Sequence, residues 1–308
     1  MNWRIFRLII RRVGLVFGLG IFFYLIYKNI QTLFTLPETI NFHWAPIVFS
    51  VFLSILVYFL QMLNLKFIYS FMHQKLSIID IMTGFSLALI PKYAPGFIWG
   101  YMSRADWFQI NNGIPQKYSW AASLIEITVT VTTGLLIVAL KFLLKISNFQ
   151  WIWMVLIAIP LMHFCFLQLL VKKRIFPLKK IDFENSTFSL LLWLIIVINS
   201  LVQWILLGNA LLLIQIAFST PDILKFRDLF LNVYIFSRSW ITGFLTVIIP
   251  NGLGIRELVL KDLLSLELGL KIELAILIST SSRLILFFVE GLWFIWANIS
   301  YKRLRTKK

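Results

Sequence analysis

Ile90-Pro91-Lys92-Tyr93-Ala94-Pro95-Gly96 interrupts one apolar stretch, Ile78 to Trp107, and Ile249-Pro250-Asn251-Gly252-Leu253-Gly254 interrupts a second, Leu229 to Leu266. Proline offers no backbone N–H and restrains the residue before it, while glycine tolerates the positive φ at which helices end, so a helix entering either segment stops there. At membrane depth the freed N–H and C=O groups are tolerated only inside protein or against a wet cavity. Neither half of either stretch reads as a full span. Each stretch therefore predicts a broken, re-entrant helical hairpin, the alternative being a pair of short spans in its place.

Working outward, the flanks are apolar too. The 308 residues are 60% hydrophobic and 14% charged, with a mean hydropathy of +0.87, so water cannot be the only solvent of the fold. About 20 apolar residues cross a hydrocarbon core of about 30 Å. Six runs meet that length: Val13 to Leu33, Ala45 to Phe67, Ser119 to Leu140, Trp151 to Val171, Phe188 to Phe218 and Leu274 to Ile299. The expected fold is an all-α polytopic membrane protein of about six full transmembrane helices plus two broken hairpins, in a single membrane domain, 1–308, with no soluble catalytic domain.

The net charge of +16 stands in short clusters between apolar runs, the pattern of topology signals and of affinity for anionic lipid, which argues against nucleic acid as partner. With hairpins in place, the arginines before Val13, Lys66 and Lys75, Arg104 and Lys117, Lys172 to Lys180 and Lys302 to Lys308 all fall on one side. The positive-inside rule makes that side the cytoplasm and puts both termini there. No small-residue cleavage site follows the first apolar run, so it is expected to remain as a membrane helix.

The two breaks are related. An offset of 159 residues aligns Thr83-Gly84-Phe85 with Thr242-Gly243-Phe244, and Ile90-Pro91 with Ile249-Pro250. Two spans, a hairpin and a further span in each half give an odd number of crossings, which inverts the second half relative to the first. The halves are about 1–145 and 146–301, followed by a basic tail, 302–308. In inverted-repeat transporters such broken segments meet near the midplane and offer helix-end dipoles to a polar ligand.

Charged side chains at membrane depth cost about 2.5–3.5 kcal/mol each on insertion scales, so each needs a partner or water. Glu126, Arg238, Arg283 and Glu290 are the clearest cases. Under the 159 offset Arg283 falls within two positions of Glu126, and the two are expected to pair across the pseudo-two-fold. The alternative is that Arg283 pairs along its own helix with Glu290 and only holds the bundle together. Around the breaks, Lys92, Tyr93, Pro95, Gly96, Trp99, Tyr101 and Arg104, with Asn251, Gly252, Gly254, Arg256 and Glu257, join cations, amphipathic rings and helix starts. That combination suits a phosphate-bearing head group. It is also what a kinked, packed helix with an interfacial aromatic belt would carry. Asn199, Gln203, Asn209 and Gln215 read as interhelical hydrogen-bonding residues rather than ligands. His43, His73, His163 and the single Cys165 lack metal-ligand spacing, and no nucleotide or phosphate-loop motif is present, so neither metal nor cofactor is expected.

Tyr93-Ala94-Pro95-Gly96 with Trp99 and Arg104, then Glu126, then Pro250-Asn251-Gly252-Leu253-Gly254-Ile255-Arg256-Glu257, then Arg283, resemble in order and spacing the lysylphosphatidylglycerol synthase transmembrane-domain family, also described as flippase-like. The resemblance runs from about Arg11 to Ile299. It implies a membrane domain that moves a lipid across the bilayer, here standing alone without the soluble aminoacyl-transferase domain, with the acidic and basic positions at Glu126, Glu257 and Arg283. One departure is Ile127, where the family often has Arg after the acidic residue.

The function expected is flippase-like transport of an anionic or zwitterionic phospholipid, aminophospholipid or lipid-linked precursor across the inner membrane. Partners would be phospholipid or polyprenyl-phosphate lipid, with a homo-oligomer or a separate lipid-modifying enzyme as further candidates. Two rivals stand beside it. One is a membrane-embedded transferase acting on a lipid-linked sugar or phospholipid, with Glu126 or Glu257 as general base. The other is a non-catalytic membrane partner of a lipid-modifying enzyme.

Overall fold

A computed structural model describes residues 20, 23–24, 27, 31, 42–93, 98–146, 158–166, 190–218, 226–246, 252 and 254–305. Among these there is no strand. Eight helices carry the architecture: α1 Trp44–Phe71, α2 Ile78–Leu87, α3 Trp99–Asn112, α4 Gln116–Ile146, α5 Leu190–Phe218, α6 Phe226–Leu245, α7 Ile255–Leu268 and α8 Ile272–Arg305. Residues 158–166 are also helical. Four of the helices, α1, α4, α5 and α8, are long and apolar enough to cross a membrane. Of the six runs expected to span, Val13 to Leu33 and Trp151 to Val171 lie largely outside the described residues.

Helix ends follow local chemistry. α1 carries Pro46 in its first turn, where the missing N–H has no intrahelical role. Ser77 caps α2, its hydroxyl accepting from the Asp80 N–H at 3.1 Å. α2 ends ahead of Pro91, and Pro91–Tyr93 form a single 3-10 turn. α3 and α7 are 14 residues each and both end on a glycine in the left-handed region, Gly113 and Gly269, each at φ +68°. At about 1.5 Å per residue, α2 reaches about 15 Å and α3 and α7 about 21 Å, short of a bilayer crossing.

The first arm of the second break departs from expectation. α6 has 20 residues, the length of a full crossing rather than a partial one. Its length rests on burial, not on an apolar surface: Leu231 to Ser237 are all buried, with Asn232 and Ser237 inaccessible. A helix covered on most sides by α4, α5 and α7 need not be apolar throughout to stand at this depth.

Apolar side chains cover the outside of the bundle, and polar ones stand among those it buries. α1 exposes Trp44, Val48, Phe49 and Phe52 and buries Ser50, Ser54 and Asn64, while α8 exposes Phe288, Leu292, Ile295 and Ile299 and buries Ser279, Thr280, Ser282, Arg283 and Glu290. Apolar stripes at helical spacing outside and polar groups inside are what hydrocarbon solvent selects.

α1 and α5 pack along each other antiparallel. Their polar ties run in opposite sequence order: His43 N–H to the Ala217 carbonyl at 2.9 Å, Ser50 Oγ to the Ala210 carbonyl at 3.0 Å, and Asn64 Nδ2 to the Ile196 carbonyl at 3.3 Å. Asn199 completes the seam, donating to the Leu60 carbonyl and to Asn64 Oδ1. Around this seam contacts come in matching pairs, with α8 against α2 and α4 against α6.

The aligned glycines have one shared task. A Cβ on Gly84 would come within 2.7 Å of Trp107 on α3, and one on Gly243 within 3.0 Å of Arg256 on α7. In each break, glycine is what lets the two arms cross in contact.

Candidate functional site

Among the described residues, bringing both breaks against the α1–α5 seam leaves a cavity of about 350 Å³ that carries charged side chains on a largely apolar wall, at the small end of the range for ligand sites. All eight helices line it. The first break supplies Ala88, Leu89, Lys92, Gly100, Tyr101 and Arg104; the second supplies Trp240, Gly243, Phe244, Thr246, Gly252 and Arg256. The seam adds Tyr58, Gln61, Asn64 and Gln203, and the later spans add Glu126, Thr130, Arg283 and Glu290.

Three ion pairs organise these charges. On the α3 side, Arg104 donates to Glu126 Oε2 at 2.7 Å and to Ser123 Oγ at 2.6 Å, its guanidinium beside the rings of Phe85 and Tyr101. On the α7 side, the Gly254 N–H donates to Glu257 Oε2 at 2.6 Å, so the carboxylate caps its own helix. Its other oxygen stands 3.3 Å from Arg283 Nε. The third pair joins the first break to α8: Glu290, 2% exposed, takes the Lys92 ammonium at 2.6 Å, the Tyr93 hydroxyl at 2.8 Å and the Tyr58 hydroxyl. Tyr93 also lies under Arg283 and Lys92, 5.7 and 5.6 Å from its ring centroid.

The pairing differs from the expected one. Glu126 and Arg283 do not meet as an ion pair: Glu126 is held by Arg104, and Arg283 by Glu257. Glu126 on α4 and Arg283 on α8 each meet the helix just before their own, α3 and α7, because that helix leads in through a short glycine-ended link and packs along it. The polarity is swapped, Arg on α3 and Glu on α4, Glu on α7 and Arg on α8. Glu290, given in the alternative to Arg283, holds Lys92 of the first break.

Among the other expected residues, Lys92, Tyr101, Arg256 and Gly252 line the cavity. Tyr93 is buried behind it, and Gly254 acts as the α7 cap. Trp99, half-buried at the start of α3, is off the cavity wall. Arg238 is excluded from the site: it is exposed and donates to the Tyr234 hydroxyl at 2.6 Å. Pro95, Gly96 and Asn251 lie outside the described residues.

Two groups have no such commitment. Arg256 is 7% exposed, lies with its guanidinium 4.8 Å from the centroid of Phe236, and has no carboxylate in ion-pair range among the described residues. Gln203 is 5% exposed, and its amide nitrogen has no hydrogen-bond partner among them. The Gln203 amide nitrogen therefore makes no interhelical hydrogen bond among the described residues, unlike that of Asn199. Tyr58, Gln61 and Asn64 were also legible as a set, since polar residues three apart on an apolar helix share a face. No family model matches the chain, and no curated protein does.

Proposed function

We propose that the chain is a flippase-like lipid transporter of the inner membrane. It takes an anionic or zwitterionic head group of a phospholipid or lipid-linked precursor into the cavity while the acyl chains stay in lipid. The observation that carries this reading is a cavity lined from both breaks among the described residues, with more cations than carboxylates on its wall. Such groups at membrane depth mark substrate pathways by default.

The same reading treats α2–α3 and α6–α7 as re-entrant hairpins of an inverted repeat with both termini cytoplasmic. The antiparallel α1–α5 seam and the matched contacts of α2 with α8 and of α6 with α4 support it. The resemblance to the lysylphosphatidylglycerol synthase transmembrane-domain family points the same way. Transfer chemistry is the weaker reading, because Glu126 and Glu257 are both engaged by arginines.

The test is transbilayer movement of labelled phospholipids and polyprenyl-phosphate lipids in proteoliposomes, comparing the native chain with Glu257→Gln and Arg283→Ala. Movement by the native chain that both variants lose supports transport. No movement of any lipid by folded protein overturns it.

A further inference from the structure

The cavity contains a charge imbalance. Lys92, Arg104, Arg256 and Arg283 face it with Glu126 and Glu290, and Glu257, off the wall, is engaged with Arg283. Pairing Lys92 with Glu290, Arg104 with Glu126 and Arg283 with Glu257 leaves one positive charge over, that of Arg256. A buried cation without a counter-charge is costly, and the phenyl face of Phe236 offsets only a small part of that cost. The missing component is one negative charge, supplied from the cavity.

Arg256 stands where an anion is best received. It is the second residue of α7, whose first-turn N–H groups and helix dipole face the break. The Gly254 N–H is already taken by Glu257, and the guanidinium is the charged donor at this helix start. Gln203, from α5, lines the cavity, and its buried amide nitrogen has no partner among the described residues, a neutral N–H group that a phosphoryl or hydroxyl oxygen would satisfy.

From this balance we propose that the cavity selects a phosphodiester monoanion, bound by Arg256 with Gln203 as a neutral donor, and discriminates against the dianion of a phosphomonoester. A second negative charge would find only cations already held by carboxylates, and would be repelled by Glu126 and Glu290 on the same wall. The site would thus accept a glycerophospholipid with an esterified head group, or a polyprenyl phosphate carrying a sugar, and reject phosphatidic acid and bare polyprenyl phosphate. The inference rests on the transport reading for its lipid and its phosphodiester, while the preference for one negative charge over two rests on the charges of the site.

The experiment is binding to the purified full chain in neutral detergent at pH 8, followed by tryptophan fluorescence, since Trp240 lines the cavity. The probes are dihexanoyl phosphatidylglycerol, dihexanoyl phosphatidic acid and the water-soluble glycerophosphoglycerol. The native chain is expected to bind the diester lipid at least tenfold more tightly than the monoester. Arg256→Gln should lose at least tenfold for the diester, with Arg256→Lys recovering part of it. Glu126→Gln, which releases Arg104, should shift preference toward the monoester. Equal or tighter binding of phosphatidic acid by the native chain, or diester binding unchanged in Arg256→Gln, overturns the proposal. Glycerophosphoglycerol binding as tightly as the lipid, with the Arg256 dependence intact, supports the phosphodiester site and overturns the lipid reading instead.

Discussion

Replacing Glu290 by Gln should be among the most damaging single changes in the membrane core. The carboxylate is 2% exposed and accepts from Lys92, Tyr93 and Tyr58, three donors brought from α1 and the first break to α8. Removing one member of a buried ion pair costs about 3–5 kcal/mol, because the other charge is left without compensation. Hydrogen bonds to a charged group contribute about 1.5–3 kcal/mol each, and Gln keeps a carbonyl acceptor for some of them. The Lys92 side chain is 25% exposed toward the cavity, where water moderates the loss, which puts the expectation at about 3 kcal/mol, the low end of the buried-pair range. SDS-driven unfolding of the purified chain in mixed micelles measures it. Glu290→Gln with Lys92→Met should be more stable than the sum of the two single losses by at least about 1 kcal/mol. A Glu290→Gln loss below about 1 kcal/mol, the scale of an ordinary substitution, or strict additivity in the double variant, would refute the reasoning.

Two further predictions concern the breaks and the ion pairs. Gly252 has φ +64° and its absent Cβ would lie 2.6 Å from the Gly243 carbonyl, so Gly252→Ala should lose at least about 2 kcal/mol in the same unfolding assay, from left-handed backbone cost and overlap together; Gly291→Ala, in open helical space, should instead gain up to about 1 kcal/mol. Arg104→Glu and Glu126→Arg should each cost about 3–5 kcal/mol singly, with most of the loss recovered in the combined swap and none recovered by exchanging Glu126 with Arg283.

The breaks were the most legible part of the sequence. Proline acts through backbone chemistry that needs no neighbour, so the interruption of α2 ahead of Pro91 is a local event readable in one dimension, whereas the close approach of the two arms at Gly84 and Gly243 is not. The spans were legible for a similar reason, with α1, α4, α5 and α8 all centred on their apolar runs. Partner choice was not. A seven-residue spacing puts Arg283 and Glu290 on one helix face, but which charges they meet depends on which arm packs there, and the sequence offset ranked Glu126 first where Glu257 and Lys92 stand. Gln203 illustrates the same limit. It lies one turn from Asn199 on α5, yet Asn199 bonds across the seam with α1 while Gln203 lines the cavity with its amide nitrogen unpartnered among the described residues. That difference is set by the tertiary packing of α5 against α1 and α4. The extended α6 was hidden because its burial comes from other elements rather than from its own composition.

The central claim is that the cavity is a passage between leaflets, and its access from the two faces tests this most directly. With the exposed Cys165 replaced by Ser, Thr130→Cys places one thiol on the cavity wall, to be labelled by a membrane-impermeant maleimide in sealed vesicles of each orientation. The account predicts labelling from both faces, slowed at least several-fold by the transported lipid. Labelling from one face only, unaffected by any lipid, would contradict it.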